Sequence, residues 1–381
     1  MSSLSAISPT QAIVDLSALA HNLETVRRRL QPGCDILAIL KADAYGHGAL
    51  PVAKALVELR VTRFGVASPA EGITLREDGL DQQILVLGPL FPEQLRQLVA
   101  HRLTPAISST DLIGPLTRVL GDRSTPYPVH IKVDTGMGRL GLTPDMVPEL
   151  LGSPPFKGPL RAEGLMTHLA DADNDDESYT KEQIALLQSV LARTESAGCT
   201  IPVVHAANSA AVVAHPSSHL TLVRPGLLLY GYPPTSRLSK DIDLKPMLAL
   251  RTKVAQIRTI QPGGSVSYAR TYRATRSTKI AVLPIGYADG YSRGLSNKGA
   301  VLIKGQRAPI VGRVCMDMTM VDVTHIANVY AGDSVTVMGE DGTDRITALD
   351  LADWLQTIPY EVLCGIGPRI PRVYTSTVET K

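Results

Sequence analysis

The sequence predicts a (β/α)8 barrel followed by a mainly β C-terminal domain, on three observations. Eight short apolar runs of strand character alternate with amphipathic stretches in the first part of the chain. After Tyr232-Pro-Pro-Thr-Ser the pattern changes to β-type runs punctuated by Gly and Pro. Polar and basic residues recur just past the ends of the apolar runs, where barrel enzymes keep their chemistry.

Taken in order, a helical period covers Leu16–Leu30, and strands are expected at Ile36–Ala42, Phe64–Ser68, Ile84–Gly88, Pro105–Ser109, Val129–Asp134, Arg161–Thr167, Val203–His205 and Leu222–Arg224. Helical stretches at Val52–Arg60, Pro92–Arg102, Asp111–Leu120 and Tyr179–Ser196 separate them, several opened by Pro or Asp in the first turn. An open dinucleotide-binding sheet is the competing arrangement, but no G-x-G-x-x-G follows the first strand. Beyond the barrel, β runs are expected at Ala249–Ile260, Ile280–Ile285, Val301–Ile303, Val311–Val323 and Ser334–Met338, with a turn at Pro262-Gly-Gly264. The expected domains are residues 12–240 and 241–381, with residues 1–11 as a candidate further strand for the second.

Composition narrows the function. With 38 Lys plus Arg against 36 Asp plus Glu, the formal charge of +2 makes no electrostatic case for nucleic acid or an anionic membrane, so a small-molecule ligand is expected. Cys34, Cys199, Cys315 and Cys364 form no CxxC pair, which reads as reduced thiols and a cytoplasmic protein with no metal site. The first 26 residues contain no Lys or Arg and no long apolar core, so neither a secretory signal nor a membrane span is expected.

The chemistry concentrates at Ile36-Leu-Ala-Ile-Leu-Lys41-Ala-Asp-Ala-Tyr45-Gly-His-Gly48. A lysine partly desolvated at a strand end loses its proton readily and attacks a carbonyl, and the Tyr and Gly just beyond suit a phosphate. Together they suggest a Schiff base with pyridoxal 5'-phosphate. Arg139, His168, the run His205 to Ser209, and Arg224-Pro-Gly226 follow strands five to eight. All of these belong to one expected barrel mouth, with the loops after strands seven and eight as the phosphate site.

These residues resemble the fold-type III pyridoxal phosphate alanine racemases over essentially the whole chain. The resemblance rests on Ala38-Ile-Leu-Lys-Ala-Asp-Ala-Tyr-Gly-His-Gly48, Lys132-Val-Asp-Thr-Gly-Met-Gly-Arg-Leu-Gly141, Met166-Thr-His-Leu169, His205-Ala-Ala-Asn-Ser209 and Arg224-Pro-Gly226 in the barrel. It continues through Val266-Ser-Tyr-Ala-Arg270, Val311-Gly-Arg-Val-Cys-Met-Asp317 and Ile358-Pro-Tyr-Glu-Val362. It implies that Lys41 holds the cofactor, that Tyr45, Ser209, Gly226, Leu227 and Tyr360 hold its phosphate, and that His168 and Asn208 also line the cofactor. Arg139 would meet the cofactor's phenolic oxygen and the substrate carboxylate, and Lys132 is a candidate carbamate that would hold Arg139.

Racemisation requires a base on each face of the substrate α-carbon, and the resemblance supplies Lys41 and Tyr268. Ionising a free tyrosine at pH 7 costs about 4 kcal/mol, which the family meets with a hydrogen-bonded chain, here Tyr268 to His168 to Arg224 to His205. The resemblance puts Arg224 at the pyridine nitrogen, where it would donate a hydrogen bond and leave that nitrogen largely unprotonated, an arrangement expected to trade rate for fidelity against transamination. Tyr268, Cys315, Met316 and Asp317 would reach the substrate from the partner chain of a head-to-tail homodimer with shared sites, Tyr268 and Tyr360 narrowing the entrance and Tyr287 farther out. Two departures from the family pattern are Ala269, where Gly is expected, and Leu227, where Ile is frequent.

The implied activity is interconversion of L- and D-alanine, supplying D-alanine for peptidoglycan. A serine or broad-specificity racemase is the nearest rival, but such enzymes replace the tyrosine matching Tyr360. A fold-type III decarboxylase should place an acidic residue where Arg224 stands. A non-enzymatic cofactor-binding regulator would not need Lys41 and Tyr268 together.

Overall fold

The computed structural model of the protein describes residues 8–235 and 237–375. The chain divides into two compact units, one of Ala20–Ala44 with Ala49–Leu244, the other of the described parts of Met1–Leu19 and Lys245–Lys381 together with Tyr45–Gly48.

The first strand, β1 (Gln11–Asp15), belongs to the second unit. Eight strands then make the barrel: β2 (Asp35–Ile39), β3 (Arg63–Val66), β4 (Gln83–Val86), β5 (Thr104–Ile107), β6 (Tyr127–Lys132), β7 (Leu160–Met166), β8 (Val203–His205) and β9 (Leu222–Val223). All pairings are parallel, in the order β8-β7-β6-β5-β4-β3-β2-β9. Thr221 N donates to Val204 O at 3.2 Å and Arg224 N to Ala207 O at 2.9 Å, drawing the last two strands together and nearly closing the ring. Both faces of the strands are covered: Phe64, Leu85, Ile107, Ile131 and Leu165 are fully buried, as a parallel sheet requires.

The second unit is mainly β. After β10 (Leu248–Lys253), β11 (Gln256–Ile260), β12 (Ser265–Val266), β13 (Tyr272–Arg273) and β14 (Thr278–Leu283) come β15 (Ala300–Ile303), β16 (Gln306–Pro309), β17 (Thr319–Asp322), β18 (Ser334–Asp341), β19 (Asp344–Ile346) and β20 (Arg372–Thr375). The largest sheet runs β16-β15-β18-β10-β1-β20, with β19 on β18, and a second sheet runs β11-β14-β17. β1 lies antiparallel to β10 and parallel to β20. Of the candidate strand at residues 1–11, residues 1–7 lie outside the described residues. No helix among the described residues is long and apolar enough to cross a membrane.

Four local expectations differ from the structure. The run Ala249–Ile260 is two strands, because Val254 N donates to Asp333 O at 2.9 Å and Ala255 N to Val282 O at 2.8 Å, switching the chain from one sheet to the other. Only Thr319–Asp322 of Val311–Val323 is a strand, since Gly312 turns with φ +78° and Cys315 N closes on Met318 O at 2.8 Å. Helices Ala348–Leu355 and Pro359–Cys364 interrupt the β pattern. A capping box opens the first of them, Asp350 Oδ2 accepting from Thr347 N at 2.7 Å. The first barrel strand stops at Ile39, two residues before Lys41.

Candidate active site

Past Ile39 the backbone enters a left-handed turn. Ala42, Asp43, Ala44 and Tyr45 have φ of +53° to +54°, and Gly46 follows at +78°. Each non-glycine residue in this region costs roughly 1–2 kcal/mol, so the turn needs anchors. Ala44 N donates to Leu40 O at 2.8 Å, Ala42 N to Glu71 Oε1 at 2.8 Å, and Ala49 N to Asp43 Oδ1 at 2.7 Å. Glu71 also caps its own helix, with Oε2 accepting from Ala67 N at 2.6 Å and Ser68 N at 3.2 Å. The left-handed run starts the chain away from the barrel directly after Lys41.

Lys132 ends β6 and is buried. Burial and the charges of Arg139, Arg224 and Lys41 push its pKa down to about 8. Arg139 rides on a loop closed at its base, where Leu142 N donates to Lys132 O at 2.8 Å and Asp134 N to Leu142 O at 2.9 Å. A Cβ at Gly141, which has φ +137°, would lie 2.5 Å from Asp134 N, so this close return requires glycine. Inside the loop Asp134 accepts from Gly136 N at 2.9 Å and Gly138 N at 3.1 Å. Gln183, fully buried on the helix Ser178–Ser196, braces the same region. It donates to Thr135 Oγ1 at 3.3 Å and His168 O at 3.2 Å, and accepts from Ala170 N at 2.9 Å.

Arg224 is buried, and burial lowers its pKa to about 10, so it stays charged at neutral pH. Its Nη1 lies 2.9 Å from His205 Nδ1, and Nη2 meets Thr167 O at 2.7 Å, Ala206 O at 2.9 Å and His168 Nδ1 at 3.2 Å. These partners hold no carboxylate. Burial and the charge of Arg224 push His168 down to about 3 and His205 well below the usual histidine range. Burial also lowers His130, which sits against His205. The facing His130 imidazole, together with hydrogen bonds from Gln83 and Arg161, pushes Glu163 down to about 2.

These shifts share one sign. An unfolded histidine takes up a proton below about pH 6.5 that the folded site refuses, so stability is complete above that pH and falls as pH drops toward the depressed folded values. Glu163 adds a further loss as pH falls from 4.5 toward about 2. Urea titrations should therefore show the protein less stable at pH 5.5 than at pH 7, by about 1 kcal/mol for each of the three histidines. A flat profile across that interval would mean that these imidazoles are already charged in the fold.

The loops after β8 and β9 converge. Ser209 Oγ accepts from Gly226 N at 2.9 Å and from Leu228 N at 3.5 Å, and Asn208 Oδ1 caps the helix Ser209–Ala214 by accepting from Ala211 N at 3.0 Å. Leu227 is buried and its carbonyl accepts from Tyr230 N at 3.1 Å.

The second unit gathers the remaining expected residues. Tyr45 is buried, which raises its pKa, and its ring lies 5.8 Å from that of Tyr360. Tyr287 N and Ala288 N donate to Cys315 O and Met316 O, both at 3.0 Å. A Cβ at Gly286 would stand 2.3 Å from each of those carbonyls, so glycine permits the contact. Ser267 Oγ donates to Arg313 O at 2.7 Å and lies 3.4 Å from Cys315 Sγ, tying the loop that carries Tyr268 to the same cluster. Ala269 has φ +57°, which explains the expectation of glycine there. Tyr268 is 72% exposed and Met316 52%. Asp317 pairs with Arg369 Nη2 at 2.8 Å.

The structure thus brings together Lys132, His168, His205, Ser209, Arg224 and Gly226 in one unit, and Tyr268, Tyr287, Cys315, Met316 and Asp317 in the other. Glu71 and Gln183 were missed by sequence reasoning. The Ser68-x-x-Glu71 spacing is a helix-start signal, but nothing in the sequence marks the carboxylate's bond to Ala42 N, 29 residues away.

The residues also suit the group that the sequence suggested. Lys132 feels the charges of Lys41, Arg139 and Arg224, against Asp134 as the opposing carboxylate among these causes, so the mouth favours an anionic ligand. A phosphorylated aldehyde cofactor with an amine at hand meets that requirement.

Comparison with known proteins agrees with this geometry. Residues 14–234 match the family model "Alanine racemase, N-terminal domain" and residues 247–374 match "Alanine racemase, C-terminal domain". An alanine racemase of Halothermothrix orenii is 45% identical over 370 residues, spanning 97% of this chain and 98% of that one. One from Geobacter sulfurreducens is 44% identical, with 96% and 97% covered. The crystal structure of alanine racemase from E. faecalis superposes with a TM-score of 0.91 at 35% identity, covering 97% of this chain and 98% of that one. The chain belongs to the alanine racemase family.

Proposed function

We propose that the chain interconverts L-alanine and D-alanine with pyridoxal 5'-phosphate held at the barrel mouth. The observation that carries this reading is the cationic mouth itself, where Lys41, Arg139 and Arg224 all act on a buried Lys132. When bound, the cofactor supplies the electron withdrawal that acidifies the substrate Cα–H. The chain's own residues do the rest. Lys41 would hold the cofactor and carry the proton at one face of the α-carbon, and the Tyr268 hydroxyl would serve the other face. Arg224 would donate to the pyridine nitrogen of the bound cofactor, while Arg139 would orient the substrate carboxylate. Tyr45, Ser209, Gly226, Leu227 and Tyr360 would hold the phosphate, with Asn208 and His168 beside the ring. Tyr360 and Tyr287 restrict the side chain, which favours alanine over serine.

The working form in this reading is a cytoplasmic homodimer in which Tyr268, Cys315, Met316 and Asp317 serve the partner's site. The exposure of Tyr268 and Met316 supports it, because large apolar side chains grouped on a surface favour burial against another copy. D-alanine made this way would serve peptidoglycan synthesis.

The deciding experiment is to add pyridoxal phosphate to purified protein, record its absorbance spectrum, and follow L-alanine by chiral chromatography. D-alanine should appear up to an equal mixture, and lysine or ornithine should release no CO2. A protein that stays colourless, or that leaves L-alanine unchanged, would overturn the reading.

Lys132 is the proposed carbamate. An amine brought to a pKa of about 8 is substantially neutral at mildly alkaline pH, and only the neutral amine attacks CO2, forming a C–N bond and releasing a proton. The product would be an anion among Arg139 and Arg224. 13C-bicarbonate should give the protein a carbamate carbon signal that Lys132→Ala removes, and a signal that persists in the variant would assign it elsewhere.

A further inference from the structure

The hydrogen-bond chain from Arg224 does not stop at His205. His205 Nε2 lies 2.8 Å from His130 Nδ1, the two rings meeting edge to face at 73° with centroids 4.9 Å apart. The other nitrogen of His130 is buried, makes no hydrogen bond of ordinary length, and points at Glu163 Oε2 from 3.7 Å. Glu163 is held in turn by Gln83 Nε2 at 2.5 Å and Arg161 Nη2 at 3.2 Å. We propose that Glu163 and His130 are distal positioning residues: a one-way hydrogen-bond wire through the barrel core fixes the tautomer of His205 and, through it, the pose of Arg224.

The direction follows from the two ends. Arginine has donors only, so His205 Nδ1 must offer its lone pair, and a neutral ring then carries its proton on Nε2. That proton points at His130, whose Nδ1 accepts, leaving the His130 proton on Nε2 and facing a carboxylate. A carboxylate accepts only, so the far end selects the same state as the near end. The opposite polarity would set N–H against N–H at Arg224. By the same logic, Arg224 Nη2 at 3.2 Å from His168 Nδ1 puts the His168 proton on Nε2. Burial and the guanidinium charge keep these imidazoles neutral, as the wire requires.

The backbone around the wire is shaped for it. Gly164, next to Glu163 on β7, pairs with His130, and a Cβ there would stand 2.3 Å from His130 Nδ1 and 2.6 Å from its Cγ. Any side chain at 164 would displace the ring. The register of β6 on β7 shifts between Val129 and His130, an irregularity of the kind that re-aims a side chain. A buried imidazole, the space cleared for it and the carboxylate beyond it thus lie on two neighbouring strands.

The catalytic half of this inference rests on the proposed cofactor site, and the structural half does not. Long-range 1H–15N spectra of histidine-labelled protein, with and without pyridoxal phosphate, report which ring nitrogen carries the proton. In the native protein His130, His168 and His205 should all be Nε2–H. In Glu163→Leu, His130 should populate the Nδ1–H form, the His205 signals should change with it, and kcat should fall about tenfold with KM little altered. Gly164→Ala keeps Glu163 but pushes the ring, and should change the same His130 and His205 signals if Glu163→Leu does not fold. Unchanged His205 signals in a folded variant would overturn the wire. Changed tautomers with undiminished kcat would overturn the positioning role. Failure of the racemase reading is distinct from both, since the native protein would then turn over no alanine while the spectra still decide the tautomers.

Discussion

Lys41→Ala should lose racemisation by at least about a thousandfold, because one amine is asked to do two things. In the proposed mechanism it would bond the cofactor and carry the proton at one face of the α-carbon, and no neighbour stands ready to replace it. Lys132 is buried at the end of β6, and Arg139 and Arg224 carry guanidinium groups rather than amines, so none offers a second amine at the same place. The substitution falls on an exposed residue just before the left-handed turn, whose anchors at Leu40 O, Glu71 and Asp43 use other residues, so the fold should survive. Chiral chromatography measures the loss, and circular dichroism checks the fold. A folded variant that keeps more than a few per cent of native turnover would remove Lys41 from the centre of the chemistry.

Mixing two inactive variants should restore activity. Lys41→Ala and Tyr268→Ala homodimers are each expected to be nearly inactive, the second because one face of the α-carbon lacks its proton carrier. If one site takes Lys41 from one copy and Tyr268 from the other, a mixed dimer has one site with both defects and one with neither. Unfolding and refolding equal amounts together makes about half the dimers mixed, so activity per chain should return to roughly a quarter of native. Were both residues drawn from a single copy, every site would lack one of them and nothing would return. Mass spectrometry confirms that mixed dimers form, and their presence without activity would refute the shared site.

The barrel was legible because its signals are local. Short apolar runs of three to seven residues between amphipathic stretches mark strands buried on both faces, and a lysine at the end of the first run marks the mouth. The glycine that the family resemblance implies at position 269 matches a backbone with φ +57° there. Where local signals ran together the reading blurred. Ala249–Ile260 looks continuous, yet it splits because Val254 and Ala255 find hydrogen-bond partners in different sheets, a choice made by residues 79 and 27 positions away.

Side-chain chemistry at the mouth divides in the same way. Lys41, Arg139, His168, His205 and Arg224 announce themselves by standing next to apolar runs, a property of a few consecutive residues. Glu71, Gln183, His130 and Glu163 do not, because each acts on a segment far off in the chain: Glu71 on Ala42, Gln183 on Thr135 and His168, His130 on His205. Glu163 reads as one more charged residue on a strand until β7 is set beside β6 with its shifted register. Patterning chooses the elements because burial depends on period alone. Which buried polar group meets which is decided only when the strands are in register, since a hydrogen bond forms or fails within a fraction of an ångström.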